Sequence, residues 1–139
     1  MDQRLSIITL GVRDLKVSRA FYDSLGWVIA TEQGAENIVF YNMNGFVFGL
    51  YPLEGLLEET GETEKPSGSK FTLAYNVSDK QEVDDVLRHA ASCGAKTQNA
   101  VERFWGGYSG YFSDPDGHYW EVAFNPFSLP ADNGTYKVE

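Results

Sequence analysis

The chain has 139 residues, 42% of them hydrophobic and 14% aromatic, which suits one well-cored soluble domain or two small fused modules sharing a core. Its formal charge of −9, with a pI ≈ 4.6, disfavours nucleic acid and anionic membrane as partners. Cys93 is the single cysteine, which excludes an intrachain disulfide and a cysteine-built zinc site; with no signal-peptide core and no apolar run of about 18 residues, the cytoplasm is the expected location.

Taken in order, Leu5 to Val12 is a β-branched, apolar run with Ile8, Leu10 and Val12 on one face and Ile7, Thr9 and Gly11 on the other. Asp14 has the chemistry of an N-cap, and Leu15 to Leu25 has a helical stripe of Leu15, Ser18, Phe21, Tyr22 and Leu25 that Gly26 ends. Trp27 to Thr31, Asn37 to Met43 and Phe46 to Tyr51 read as strands, with Asn44-Gly45 as a hairpin turn of the primed type. From Pro52 to Ser69 the character changes. Five glutamates, three glycines and two prolines read as a solvated linker or lid, with one helical turn at Leu56 to Thr60.

The pattern then begins again. Phe71 to Val77 is a strand, Asp79 a cap, and Val83, Val86, Leu87 and Ala90 form a helical stripe closed by Gly94. Strands follow at Thr97 to Phe104, Gly110 to Ser113 and His118 to Phe124. A shift of 65 residues carries Val12 and Asp14 onto Val77 and Asp79; a shift of 68 carries Gly26 onto Gly94. A shift of 72 carries Phe40, Gly45 and Phe48 onto Phe112, Gly117 and Trp120. The predicted fold is α+β, a tandem βαβββ repeat whose curved mixed sheets surround a cavity with the helices outside. The expected limits are a first unit over about 5–51, a linker over 52–69, a second unit over about 70–125 and a tail over 126–139.

The stretch Phe112 to Phe124 concentrates the chemistry. Asp114-Pro115-Asp116-Gly117 reads as a tight turn, its carboxylates serving as turn-formers. Behind it, Trp120, Val122 and Phe124 alternate with Tyr119, Glu121 and Ala123. A carboxylate in mid-strand is expensive to bury unless it is paired or bound, which singles out Glu121 as the candidate catalytic or ligand-contacting group. Strand parity puts Tyr51, Thr72 and Glu121 on the cavity faces, and Trp105 in the aromatic-glycine loop beside them, as the ligand-binding set. Tyr108 and Tyr111 either line that pocket or pack a curved sheet. Arg103 reads as a solvent-facing strand residue, with anion binding as the alternative.

The tandem layout, the Val-x-Asp start of each helix and the segment Phe104-Trp-Gly-Gly-Tyr-Ser-Gly-Tyr-Phe-Ser-Asp-Pro-Asp-Gly, followed by His-x-Trp-Glu, resemble the vicinal oxygen chelate superfamily. This is the glyoxalase, bleomycin-resistance and extradiol-dioxygenase group, and the likeness covers about Leu5 to Pro126. The resemblance implies metal ligands (His, Gln or Glu) on the first and last strand of each unit. Those places here are Ile7, Gly49, Thr72 and Glu121, of which Glu121 alone is a strong ligand. His118 falls on the opposite face from Glu121, and His89 lies on the second helix. No metal and no cofactor are therefore expected. The leading function is binding of a small molecule; the alternatives are a metal-dependent glyoxalase-like lyase or dioxygenase, and a degenerate site acting through protein contacts. A homodimer is expected, since open sheets need covering and Pro126, Phe127 and Leu129 are too apolar for a free tail.

Overall fold

The computed structural model describes residues 1, 3–63 and 71–137. The stretch 64–69 of the expected linker, the first residue of the second unit and the end of the tail lie outside the described residues. The chain divides into two units, Met1–Ser67 and Gly68–Glu139, each built as mixed α+β structure.

In the first unit, β1 (Ile7–Val12) is followed by α1 (Leu15–Ser24), β2 (Val39–Asn42), β3 (Val47–Pro52) and α2 (Leu53–Thr60). β3 lies in the middle of the three-stranded sheet, parallel to β1 and antiparallel to β2. The Asp14 carboxylate accepts from the backbone N–H groups of Lys16 and Val17 at 2.9 and 3.1 Å, so α1 begins where a first-turn donor finds an acceptor. At its other end, Gly26 takes φ +98° and Trp27 N–H donates back to the Tyr22 carbonyl. Leu10, Val12, Tyr22, Tyr41, Phe48 and Leu50 are buried, and the Trp27 ring joins them with centroids 5.1 to 5.4 Å from Tyr22, Phe48 and Tyr41. Such edge and tilted contacts suit the ring quadrupole as well as burying area.

Three expectations change here. Trp27 to Thr31 is not a strand: the segment alternates in burial, but its bond to the sheet is Ala30 N–H to the Phe40 carbonyl at 2.7 Å, without a ladder. The Asn44-Gly45 turn is not of the primed type, because Gly45 alone has positive φ (+97°), and both primed types need it at the first central residue. The acidic segment after Pro52 opens with a helix of eight residues rather than one turn. Leu53 and Leu56 pack where a Cβ on Gly11 would stand, within 2.7 and 3.2 Å, so the absent side chain of β1 seats the helix. Gly61, at φ +73°, closes it.

In the second unit, β4 (Leu73–Val77) leads into α3 (Lys80–Ser92), then β5 (Lys96–Thr97), β6 (Val101–Glu102), β7 (Tyr108–Ser113) and β8 (Tyr119–Phe124). The sheet order is β4-β8-β7-β5, with β6 also paired to β7. Asp79 caps α3 by accepting from Glu82 N–H at 2.8 Å, while Glu82 accepts from Ser78 N–H at 2.9 Å. Gly94 repeats the Gly26 ending, with φ +95° and Ala95 N–H on the Ala90 carbonyl. Val77, Val83, Leu87, Trp120 and Val122 form the core, and the Phe112 and Trp120 rings stack at 6.0 Å.

The expected strand Thr97 to Phe104 is divided in two. Thr97 pairs with Phe112 and Val101 with Ser109, so three residues on the edge face two on β7. One extra residue on one side of an antiparallel pair is a β-bulge. Among the described residues, no helix is long and apolar enough to cross a membrane.

Candidate functional site

The hairpin β7–β8 sets the frame. Asp114, Pro115, Asp116 and Gly117 form the tight turn read from the sequence, with Gly117 N–H donating to the Asp114 carbonyl at 3.1 Å and Gly117 at φ +86°. The Asp114 side chain, buried and 0% exposed, accepts from the N–H groups of Asp116 and His118, while its second oxygen lies 2.9 Å from His118 Nδ1. Both carboxylate oxygens serve the turn, and His118 packs at the hairpin end.

This loop has three residues between Asp114 and His118, whereas the first unit has two between Met43 and Phe46. The repeat therefore runs at a shift of 72 for β3 onto β8 but 71 for β2 onto β7. The expected match of Phe40 with Phe112 is corrected accordingly. Tyr41 is the counterpart of Phe112, both buried beside an aromatic on the next strand; Phe40 is the counterpart of Tyr111.

With that register the two units show the same row of three residues. In the first, Thr9, Gly49 and Phe40 stand side by side across β1, β3 and β2. In the second the row is Ala74, Glu121 and Tyr111 across β4, β8 and β7. The Phe40 ring and the Thr9 hydroxyl both come within 3.3 Å of where a Gly49 Cβ would stand, so an aromatic fills the position where Glu121 has its carboxylate.

Glu121 and Tyr111 are half-buried on the face turned away from α3. That orientation follows from parity: Gly110 lies against Leu87 of α3, and the Tyr108 hydroxyl donates to Asp84 of α3 at 3.0 Å, which leaves Ser109 and Tyr111 on the other side. Arg103 joins this face rather than facing solvent. Its Nε donates to the Ser109 hydroxyl at 2.8 Å and a terminal nitrogen donates to the Ser109 carbonyl at 3.1 Å. Its guanidinium carbon is 5.7 Å from the centre of the Tyr111 ring, within cation–π range. The reversal at Phe104 to Gly106, closed by Arg103 N–H to the Gly107 carbonyl at 2.8 Å, keeps Arg103 on the Val101 and Ser109 side. Strand parity across that hairpin was the signal available in the sequence. Burial, then the negative charge of Glu121 and a hydrogen bond to it, push the Tyr111 phenol above its ordinary range, with Arg103 acting against them.

The other residues singled out are placed as follows. Thr72 is exposed and lies just before β4, two residues ahead of Ala74, which pairs with Glu121. Trp105 lies in the reversal between β6 and β7, its ring on the backbone of Gly107, where a Cβ would overlap it. Tyr51 belongs to the first unit, packs on Gly55 of α2 and donates its hydroxyl to Glu59 at 2.9 Å, which raises its pKa. His89 is on α3, with Nε2 at 3.9 Å from the Cys93 sulfur. A groove of ≈ 460 Å³ lies on the α3 side of the second unit, lined among others by Asp84, Leu87, Arg88, Asn99 and Tyr108, and Glu121 is not part of it.

The donor set does not fit a divalent metal site. Ile7 and Gly49 offer no ligand atom, Thr9 and Thr72 offer neutral hydroxyls, and Glu121 is a single carboxylate. Among the described residues, no three His, Cys, Asp or Glu side chains gather as a metal-binding group.

A protein-family model for the Glyoxalase/Bleomycin resistance protein/Dioxygenase superfamily matches residues 4–122. A glyoxalase-related enzyme from Fulvimarina pelagi is 34% identical, with a TM-score of 0.88 and 98% of each chain covered. A glyoxalase/bleomycin resistance protein/dioxygenase family enzyme from Burkholderia phytofirmans PsJN shares the fold at 22% identity and a TM-score of 0.76, covering 87% of this chain and 98% of its own. A lactoylglutathione lyase from Agrobacterium tumefaciens shares it at 20% identity and 0.66, covering 89% and 95%. None of the curated proteins compared matches the chain. With most of its length matched by the family model, and both units built on one strand–helix–hairpin plan, the chain belongs to the glyoxalase/bleomycin resistance protein/dioxygenase superfamily.

Proposed function

We propose that the protein binds a small molecule against the Glu121 face of its second unit, and that it does so without a metal ion. The observation that supports this is the Ala74–Glu121–Tyr111 row, where a half-buried carboxylate stands on a sheet face with a tyrosine hydroxyl as neighbour and no ion pair among the described residues. Desolvating a carboxylate this far is unfavourable unless its oxygens are bonded, and the Tyr111 hydroxyl occupies only part of their accepting capacity. The small side chain of Ala74 leaves room on one flank, and the Tyr111 ring supplies an apolar wall on the other. Thr72 and Trp105 extend this set.

The same reading takes the protein as a cytoplasmic homodimer. Phe104, Phe127 and Leu129 are 102%, 80% and 52% exposed, an apolar surface that a second copy would cover. Light scattering that returns a monomer at micromolar concentration overturns the dimer.

A thermal-shift screen of metabolites and cationic antibiotics on wild type, Glu121→Gln and Glu121→Ala tests the site. Ligands that reach the carboxylate lose about 1.5–3 kcal/mol in Glu121→Gln, the range for hydrogen bonds to charged groups. Hits that bind all three proteins equally place the site elsewhere. Stoichiometric metal with activity dependent on it would instead favour the lyase or dioxygenase alternative.

A further inference from the structure

We infer that the ligand of this face is a zwitterion, a compact molecule with an anionic group for Arg103 and an ammonium group for Glu121; the inference rests on the small-molecule reading above. Three observations support it. First, Arg103 is anchored by two hydrogen bonds: two of its donors are spent on the hydroxyl and carbonyl of Ser109, a residue that is 0% exposed. A guanidinium has five N–H donors, so at least one edge remains for an acceptor. Secondly, neither Arg103 nor Glu121 has an ion-pair partner among the described residues, although Arg19, Lys80, Arg88 and His118 all do. Two opposite charges thus occupy one sheet face, and they do not neutralise each other. Thirdly, Tyr111 stands between them. Arg103 lies against its ring, and Glu121 is opposite it in the ladder. A guanidinium held over a ring by cation–π attraction spends no N–H donor there, so its remaining donors are free for a carboxylate.

These three facts together define charge selection. A simple cation gains at Glu121 but meets repulsion from Arg103, and a simple anion meets the reverse. A molecule with both groups satisfies both, and a flat or aromatic body suits the Tyr111 wall and the small side chain of Ala74. Arg103 is the specificity-determining residue in this scheme, because it alone separates amino acids from amines.

The test uses three probes of one skeleton, phenylalanine, phenethylamine and 3-phenylpropionate, titrated by calorimetry into wild type, Arg103→Gln and Glu121→Gln. In wild type the amino acid binds roughly tenfold or more tightly than either singly charged probe, and each substitution weakens it roughly ten- to a hundredfold. Phenethylamine is weakened by Glu121→Gln and strengthened by Arg103→Gln, which removes the repelling charge, and 3-phenylpropionate shows the reverse. Far-ultraviolet circular dichroism of the variants excludes loss of fold as the cause. If phenethylamine binds as well as phenylalanine, and is indifferent to Arg103→Gln, the zwitterion inference is overturned while the Glu121 site stands. If no probe binds, the inference is overturned in this size class, and the metabolite screen separately decides the site. If all probes ignore both substitutions, the inference and the Glu121 site fall together.

Discussion

Tyr111 stands directly across the β7–β8 ladder from Glu121, in the relation that Phe40 bears to Gly49 in the first unit. Phe40 uses that relation to fill space, its ring 3.3 Å from the absent Gly49 side chain. Tyr111 uses it to set a phenol beside a carboxylate. One fold position is therefore a plug in one unit and a polar pair in the other.

The Tyr111 phenol titrates above the ordinary tyrosine value of 10.0 because burial and the Glu121 charge both oppose its ionisation. The sign follows: stability from this neutral phenol is fully present below the unfolded value near 10 and is lost as pH rises through the higher folded value. Glu121→Gln is expected to lower the folded value, and Arg103→Gln, which removes a charge that favours ionisation, to raise it. Phenolate absorbance against pH reads both. Shifts of the same sign in the two variants contradict the arrangement.

Gly110→Ala is expected to destabilise by about 1–3 kcal/mol, the range for overpacking. Its Cβ would meet a Leu87 methyl at 2.6 Å and the Ala100 backbone at 3.0 Å, and the backbone has little freedom to withdraw. Chemical denaturation measures the loss. In a double-mutant cycle, Gly110→Ala should cost less in a Leu87→Ala background than in the wild type, and an equal cost in both would place the clash wholly on the backbone.

Gly94→Ala tests a different force. Nothing lies within 4 Å of the added methyl, yet φ is +95°, so the expected cost of about 1 kcal/mol is purely conformational. Gly26→Ala should match it, since the two helices end alike. A neutral result in both would show that these ends relax to another cap.

Elemental analysis after exchange against zinc, nickel, manganese and iron is expected to give far less than one metal per chain. A ratio near one, abolished by Glu121→Ala, would sink the metal-free reading.

Local chemistry was the most legible part of the sequence. Asp14 and Asp79 as caps, Gly26 and Gly94 as stops, and Asp114 to Gly117 as a turn all act within a few residues of themselves, and the structure has them so. The helix after Pro52 was hidden because its glutamates dominate the composition, while the leucines that hold it answer to a glycine about forty residues away in β1. The inward direction of Arg103 is illegible for a related reason. Its direction depends on how the chain reverses at Phe104 to Gly106, and a strand read in isolation has no inside. The two units are legible as a repeat, but the one-residue difference in their hairpin loops is not, because Phe40 and Phe112 match in residue type where the strand pairing does not.

The bulge between β5 and β6 has a bearing on the protein's behaviour at high concentration. A regular sheet border presents evenly spaced donors and acceptors that a stray strand can copy, which is how soluble proteins begin to stack into fibres. Here the residues between Thr97 and Val101 break that spacing, and Lys96 and Glu102 add exposed charge on either side. A border so interrupted is a poor template, and removing the extra residue would convert a guarded margin into an adhesive one.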